Sequence, residues 1–322
     1  MKELETLAAL GKRRLNVRLA SPRGFCAGVE RAIRTVEEAL ARYGAPVYVR
    51  HEIVHNAHVV RRLKSMGAVF IDDVAEAPGD RPIIVSAHGA PRAVHQAVEA
   101  RAMTMIDATC PLVQKVHSET RRHFERGRHV ILVGHAGHPE VEGTMGQAPR
   151  GAVSLVQTVG EARNLRPPAG PLAYVTQTTL SVDDAADIIE ALKARFPDIE
   201  GPKKADICYA TSNRQAAVKK IAPGADLFLV VGSPNSSNSR RLVDTALAGG
   251  AARAALIEDP RRCDLRALDG VRVLGISAGA SAPEILVEAL LARLARHFEL
   301  SVETVETAEE NIVFKSPMLM AG

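Results

Sequence analysis

Short β-branched runs alternate with helix-period segments along almost the whole chain. VYVR precedes NAHVVRRL, PIIVSAHG leads into APRAVHQAV, and LFLVVG into SNSRRLVDTAL. Strand, turn, helix, strand is the grammar of a parallel α/β sheet, because parallel strands need long crossovers. Ligands of such sheets bind outside the carboxyl ends of the strands, in the turns that enter the helices. The chemistry of this chain is therefore to be sought in those turns.

Three of the four cysteines lie there. Cys26 in PRGFCAGVE, Cys110 in DATCPLVQK and Cys208 in DICYATSNR each stand where an apolar run stops and an amphipathic helix begins, and none completes a C-x-x-C pair. They are 84 and 98 residues apart, one to each of three thirds of similar length. Two sulfurs make a disulfide and four close a structural zinc site, whereas three thiolates around a metal centre leave a coordination position open for chemistry. A second set of turns follows the cysteines by 29, 28 and 28 residues: HEIVHNAH with His55, GHAGHPEVEG with His138 and Glu140, and GSPNSSNSR with Ser236, Ser237 and Asn238. A third set, at 62, 68 and 73 residues, gives SAHGAP with His88, VTQTTLS with Thr178 and SAGASAP with Ser281. The expected fold is α/β, with three pseudo-threefold-related units of small, mainly parallel sheets whose turns face one centre. Helix starts meeting there suit a phosphate or diphosphate.

Composition narrows the partners. At 322 residues the chain exceeds one comfortable core. A net charge of +4 with scattered basic residues, 3% aromatics and no Trp leaves few platforms for bases, so nucleic acid is not expected. No apolar run approaches the roughly 20 residues of a membrane helix. MKELETLAALGKRR lacks the apolar stretch of a signal peptide, and four cysteines without one point to a reducing cytoplasm. No glycine-rich nucleotide fingerprint is present, so a small anion is the better-matched partner.

Each residue has a plainer reading. A lone Cys26 or Cys110 is more often a buried thiol than a ligand, and only the shared context favours metal. Cys263, in PRRCDLRAL, stands outside the pattern as a spare thiol whose neighbours Arg261, Arg262 and Arg266 would lower its pKa. Glu140 either caps a helix starting near Val141 or, with its pKa raised, serves as a general acid. Ser281 either opens a capping box with Glu284 or binds an anion, and Ser181 reads as a cap. His55 and His88 are available to zinc or to phosphate. Three thiolates and three histidines, however, exceed what one four-coordinate zinc uses. His51, His58, His95, His117, His123, His129 and His135 are assigned to structure or solvent.

RGFCAGVERAI, DATCPLVQKVH, GHAGHPEVEGTMGQ, TQTTLSVDDA, DICYATSNRQ, GSPNSSNSRRL, AGASAPEIL and EENIVF together closely resemble the 4-hydroxy-3-methylbut-2-enyl diphosphate reductase family, across residues 15 to 315. The resemblance implies a trefoil of three α/β units around one [4Fe-4S] cluster, held by Cys26, Cys110 and Cys208 with one iron open, and sensitive to oxidation to a [3Fe-4S] form. It implies diphosphate ligands at His55, His88, His138, Ser236, Ser237, Asn238 and Ser281. It places Thr178 and Glu140 in the hydroxyl-facing network, with Glu140 as proton source. The reaction implied is a two-electron, two-proton reductive dehydroxylation of an allylic diphosphate to isopentenyl and dimethylallyl diphosphate, fed by a carrier such as ferredoxin or flavodoxin. Rival readings are a quinolinate-synthase-like trefoil enzyme, which the HPE and NSSNS loops fit less well, and a non-enzymatic iron–sulfur sensor or electron carrier, which would not need a polar ring of three histidines, hydroxyls and a carboxylate.

The expected organisation is an N-terminal extension over 1–14, anticipated to be disordered. Three units follow, over 28–109, over 110–207, and over 15–27 with 208–299. A tail over 300–322 completes the chain.

Overall fold

The computed structural model describes residues 12–317. The expected extension lies outside those residues as far as position 11. The described strands are β1 (Arg13–Ser21), β2 (Val47–Arg50), β3 (Ala68–Ile71), β4 (Ile83–Val85), β5 (Met105–Asp107) and β6 (His129–Val133), then β7 (Val153–Val156), β8 (Leu172–Thr176), β9 (Leu227–Val231), β10 (Ala254–Ile257), β11 (Val273–Ala278) and β12 (Phe298–Glu306). They form three sheets, all of whose pairings are parallel. The chain is α/β as its alternation predicts.

Two compact units emerge. The first comprises residues 12–25 and 213–310, and the second residues 26–212 and 311–317.

The first unit is built on a five-stranded sheet in the order β10-β9-β11-β1-β12. All five residues of β9, LFLVV, are buried. Because side chains alternate across a strand, Leu227, Leu229 and Val231 join one apolar cluster with Leu15, Val17 and Ile276, while Phe228 and Val230 join another with Ala217, Leu242 and Ala246. Gly275 on the neighbouring β11 leaves room for the Phe228 ring, which a Cβ there would meet at 2.4 Å. β12 pairs with β1 along nine residues and has no second neighbour among the described residues, and its exposed Glu299, Glu303 and Glu306 suit a sheet edge. The expected boundaries differ here: β1 starts at Arg13, inside the anticipated extension. The anticipated tail contributes β12 as far as Glu306, because FELSVETVE carries enough strand-forming residues to extend the sheet.

The second unit carries two smaller sheets, β3-β2-β4-β5 and β7-β6-β8. β4, β6 and β8 are apolar and almost wholly buried, as strands covered by helices on both faces should be. Residues 311–317 are held to the helix Ala27–Tyr43 by two arginines. Arg31 Nε donates to the Lys315 carbonyl at 2.8 Å, and Arg34 donates to Phe314 O and Ser316 Oγ, each at 2.9 Å.

Candidate functional site

Chain direction places the polar turns. β2 ends five residues before His55, β4 three before His88, β5 three before Cys110, β6 five before His138 and β8 two before Thr178. Cys26 and Cys110 are the N-cap residues of the helices Ala27–Tyr43 and Pro111–Glu125, and Cys208 directly precedes the helix Tyr209–Ile221. Cys208 differs from expectation in what leads to it. GPKKADI forms no strand, and the turn is fixed by Asp206, whose buried carboxylate accepts from Thr176 N and from Lys115 Nζ, each at 2.9 Å.

The three thiols are gathered in the second unit. A Cβ built on Gly28 would lie 2.7 Å from Cys110 Sγ and 3.8 Å from Cys26 Sγ, so these two sulfurs are separated by no more than the sum of those distances. Burial pushes the Cys110 thiol up to about 12, with Cys26 and Cys208 adding to the rise. Burial, with Cys26 second, pushes Cys208 up to about 11. Cys110 thus feels both other sulfurs and Cys208 feels Cys26, and a cation is what would favour charging all three together. None of the four cysteines forms a disulfide. Sulfur-only donors suit a soft metal centre. Among the described residues no three His, Cys, Asp or Glu side chains converge tightly enough to share a single ion. Ligands that each hold a different metal of a cluster need no such convergence, so the trio fits a cluster better than a lone zinc.

Three histidines stand together in the same unit. His55 and His88 stack with ring centroids 4.0 Å apart, and His138 meets them edge-on at 5.5 and 5.8 Å. Burial holds His88 well below the usual histidine range, and His55, His138 and His51 depress it further. His88 is thus kept from its charged form, which an anion beside it would favour. Backbone bonds tie two sulfur turns to the turns of His88 and Thr178: Cys110 N donates to Ala87 O at 3.0 Å, and Cys208 N to Thr178 O at 3.1 Å.

Glu140 is 2% exposed, and its carboxyl is pushed up to about 7. Burial is the main cause. Hydrogen bonds from Thr178 oppose it, and the negative charge of Asp206 adds to it. The helix here is Pro139–Met145, and its cap is His138, whose Nδ1 accepts from Glu140 N at 3.1 Å. Glu140 is therefore inside the helix instead of capping it, because Pro139 fixes the first helical position two residues earlier than expected.

The serine-bearing turns of Ser236, Ser237 and Ser281 belong to the first unit. Ser236 caps the helix Ser237–Ala248, its Oγ accepting from Ser239 N at 3.2 Å and from Ser239 Oγ at 3.0 Å. Asn238 Oδ1 accepts from Ala280 N at 2.9 Å and so joins this turn to the one carrying Ser281. Ser236, Ser237, Asn238 and Ser281 are all buried. Ser281 does not form the expected capping box, since the helix Glu284–Ala295 begins after Pro283 without a side-chain cap. Ser181 does cap its helix, accepting from Asp184 N. Cys263 is buried in the apolar core, with its thiol raised by burial. Arg261 and Arg266 pair with Asp259 and Asp264 instead of lowering it.

Residues that the motifs did not single out hold this arrangement. Arg31, 6% exposed, bridges the Cys26 helix to the approach to Cys110, donating to Thr109 O at 2.9 Å and Asp107 O at 3.3 Å. Its signal was an arginine on the otherwise apolar face of that helix. Thr211, in CYAT, places its hydroxyl 3.2 Å from Cys208 Sγ.

Comparison with known proteins agrees with this geometry. The model of the family described as LytB protein matches residues 17–295. A 4-hydroxy-3-methylbut-2-enyl diphosphate reductase of Phenylobacterium zucineum is 58% identical over 310 residues, covering 96% of this chain and 98% of the relative. One from Hyphomonas neptunium is 57% identical over 309 residues, covering 96% and 98%. The solved structure of the E-1-hydroxy-2-methyl-but-2-enyl-4-diphosphate reductase from Plasmodium falciparum matches with a TM-score of 0.89 at 38% identity, covering 95% of this chain and 96% of that one. Sequence and fold agree over nearly the full length, and the chain belongs to the LytB family of 4-hydroxy-3-methylbut-2-enyl diphosphate reductases.

Proposed function

We infer that this chain reduces (E)-4-hydroxy-3-methylbut-2-enyl diphosphate to isopentenyl and dimethylallyl diphosphate, the terminal step of the non-mevalonate route, at an iron–sulfur cluster held by Cys26, Cys110 and Cys208. The observation that carries this reading is the gathering of the three thiols in the unit that also holds the histidine trio and a buried Glu140 with its pKa raised to about 7. When bound, a [4Fe-4S] cluster with one iron free of thiolate supplies a Lewis acid for the substrate hydroxyl and a route for two electrons from a carrier of the ferredoxin or flavodoxin type.

The protein's own part is to bind, orient and supply protons. His55, His88 and His138 donate hydrogen bonds to the diphosphate, whose charge favours imidazolium in a buried setting. Ser236, Ser237, Asn238 and Ser281 are assigned as further diphosphate ligands. Glu140, about half protonated at neutral pH, delivers its proton so that the hydroxyl leaves as water. Thr178 orients the carboxyl through its two hydrogen bonds. No described helix is long and apolar enough to cross a membrane, and thiols reserved for metal suit a reducing cytoplasm.

Iron and sulfide quantification on anaerobically prepared wild type and each Cys→Ser variant tests the reading. The three ligand variants should lose iron and sulfide while Cys263→Ser retains them, and loaded wild type given a reduced viologen should convert the substrate to both products. A wild type without acid-labile sulfide, or loaded enzyme inert toward the substrate, defeats the proposal.

A further inference from the structure

Two of the cysteine sulfurs receive visibly different donors. Cys110 is approached by the main-chain N–H groups of Leu112 and Val113, as the first turn of a helix offers them to any cap. Cys208 accepts the Thr211 N–H at 3.4 Å and also faces the Thr211 hydroxyl at 3.2 Å, three residues into the same chain segment. Thr211 is fully buried. A thiol and a hydroxyl can each donate to the other, but a metal-bound thiolate only accepts, so the direction of this bond is then settled: Thr211 Oγ1 donates to Cys208 Sγ.

Each electron entering an iron–sulfur centre adds negative charge that spreads onto the cysteine sulfurs, and a hydrogen-bond donor stabilises the reduced form more than the oxidised one. Burial strengthens the effect, because water does not screen the hydroxyl dipole. The main-chain donors are common to any helix cap, whereas the hydroxyl depends on the residue at 211. We propose that Thr211 raises the reduction potential of the cluster by donating its hydroxyl hydrogen to Cys208 Sγ. The inference rests on the cluster reading above. Thr211 acts through Cys208 as a tuning residue, easing reduction of the centre by an external carrier.

The test compares anaerobically loaded wild type, Thr211→Ser and Thr211→Val. Iron and sulfide content is measured first, and the midpoint potential is then read by dye-mediated titration followed by electron paramagnetic resonance. Valine keeps the branched shape and loses the hydroxyl, while serine keeps the hydroxyl. At fixed applied potential the valine variant should show a roughly tenfold lower reduced-to-oxidised ratio, a shift of about 59 mV to the negative for a one-electron couple. Serine should remain near wild type. A loaded valine variant titrating with wild type overturns the proposal. If valine does not fold, Thr211→Ala makes the same comparison without the second methyl group. Folded valine and alanine variants that fail to hold the cluster, beside a loaded serine variant, also overturn it, since the hydroxyl then serves retention. Wild type that takes up no iron and sulfide removes instead the cluster reading on which the inference stands.

Discussion

Thr178 engages both oxygens of Glu140: its N–H donates to Oε1 at 2.6 Å and its hydroxyl to Oε2 at 2.9 Å. These bonds favour the charged carboxylate, yet burial outweighs them and leaves the group near pH 7. A carboxyl poised there is half protonated under working conditions, where a general acid is most effective. Glu140→Gln preserves shape and removes the acid. Turnover should fall by about 10²–10⁴-fold with KM little changed. Steady-state kinetics with a reduced viologen checks this, and an unchanged turnover number removes Glu140 from the proton path.

The same pair sets a pH dependence. Activity that needs the protonated carboxyl should decline as pH rises through about 7. Thr178→Val deletes the hydroxyl bond that favours the charged form, so the alkaline limb should move to higher pH. The stability consequence has a definite sign. The folded value lies above the ordinary one of 4.5, so this contribution to stability is complete below that value and is lost as pH rises to about 7. The loss is on the order of 3 kcal/mol. Denaturant unfolding at pH 5 and pH 8 should show the loss in wild type and its absence in Glu140→Gln.

The histidine trio predicts proton uptake on anion binding. His88 is held well below 6.5 by burial and by its ring neighbours, and a diphosphate against the rings reverses that balance. Inorganic pyrophosphate should therefore bind more tightly at pH 6 than at pH 8. Calorimetry in buffers of differing ionisation enthalpy should register proton uptake. A binding enthalpy independent of the buffer contradicts the assignment.

Much of the site was legible because the grammar of strand, turn and helix brings turn residues to the strand ends without detailed knowledge of packing. The trio of His55, His88 and His138 follows from that rule, as do the caps at Cys26 and Cys110. Cys208 was placed correctly before a helix, but for a partly wrong reason. GPKKADI has no apolar run, and a buried Asp206 does the work of a strand end. Long-range contacts were the illegible part. Neither the reach of Arg31 to Thr109 O nor that of Arg214 to Gly24 O leaves a mark on local periodicity. The Ser281 capping box failed because Pro283 itself fits the position before the helix, where its missing N–H costs nothing.

Arg214 carries the first unit's most deeply buried charge. It has no solvent exposure, donates to Gly24 O at 2.7 Å and Phe25 O at 3.1 Å, and pairs with Glu310 at 3.0 Å. Removing one partner leaves the other charge buried and uncompensated, at a cost of about 3–5 kcal/mol. Glu310→Gln should thus destabilise the protein by that order, measured as a fall in the denaturant midpoint. Replacing Arg214 by Met together with Glu310→Gln should cost less than the two single changes added together, since neither charge then remains.

Gly28 offers the sharpest separation of folding from metal uptake. In an ordinary helix glycine to alanine gains about 0.8–1 kcal/mol. Here the added Cβ falls 2.7 Å from Cys110 Sγ, closer than a methyl group and a sulfur tolerate, and 3.8 Å from Cys26 Sγ. The Cys110 thiol must move, and the propensity gain opposes that strain, so the protein itself should remain folded. Gly28→Ala should then retain a cooperative unfolding transition near that of metal-free wild type while its iron and sulfide content falls several-fold after anaerobic reconstitution. Full cluster loading in this variant would show that the sulfurs bind their metal without the spacing that the glycine preserves.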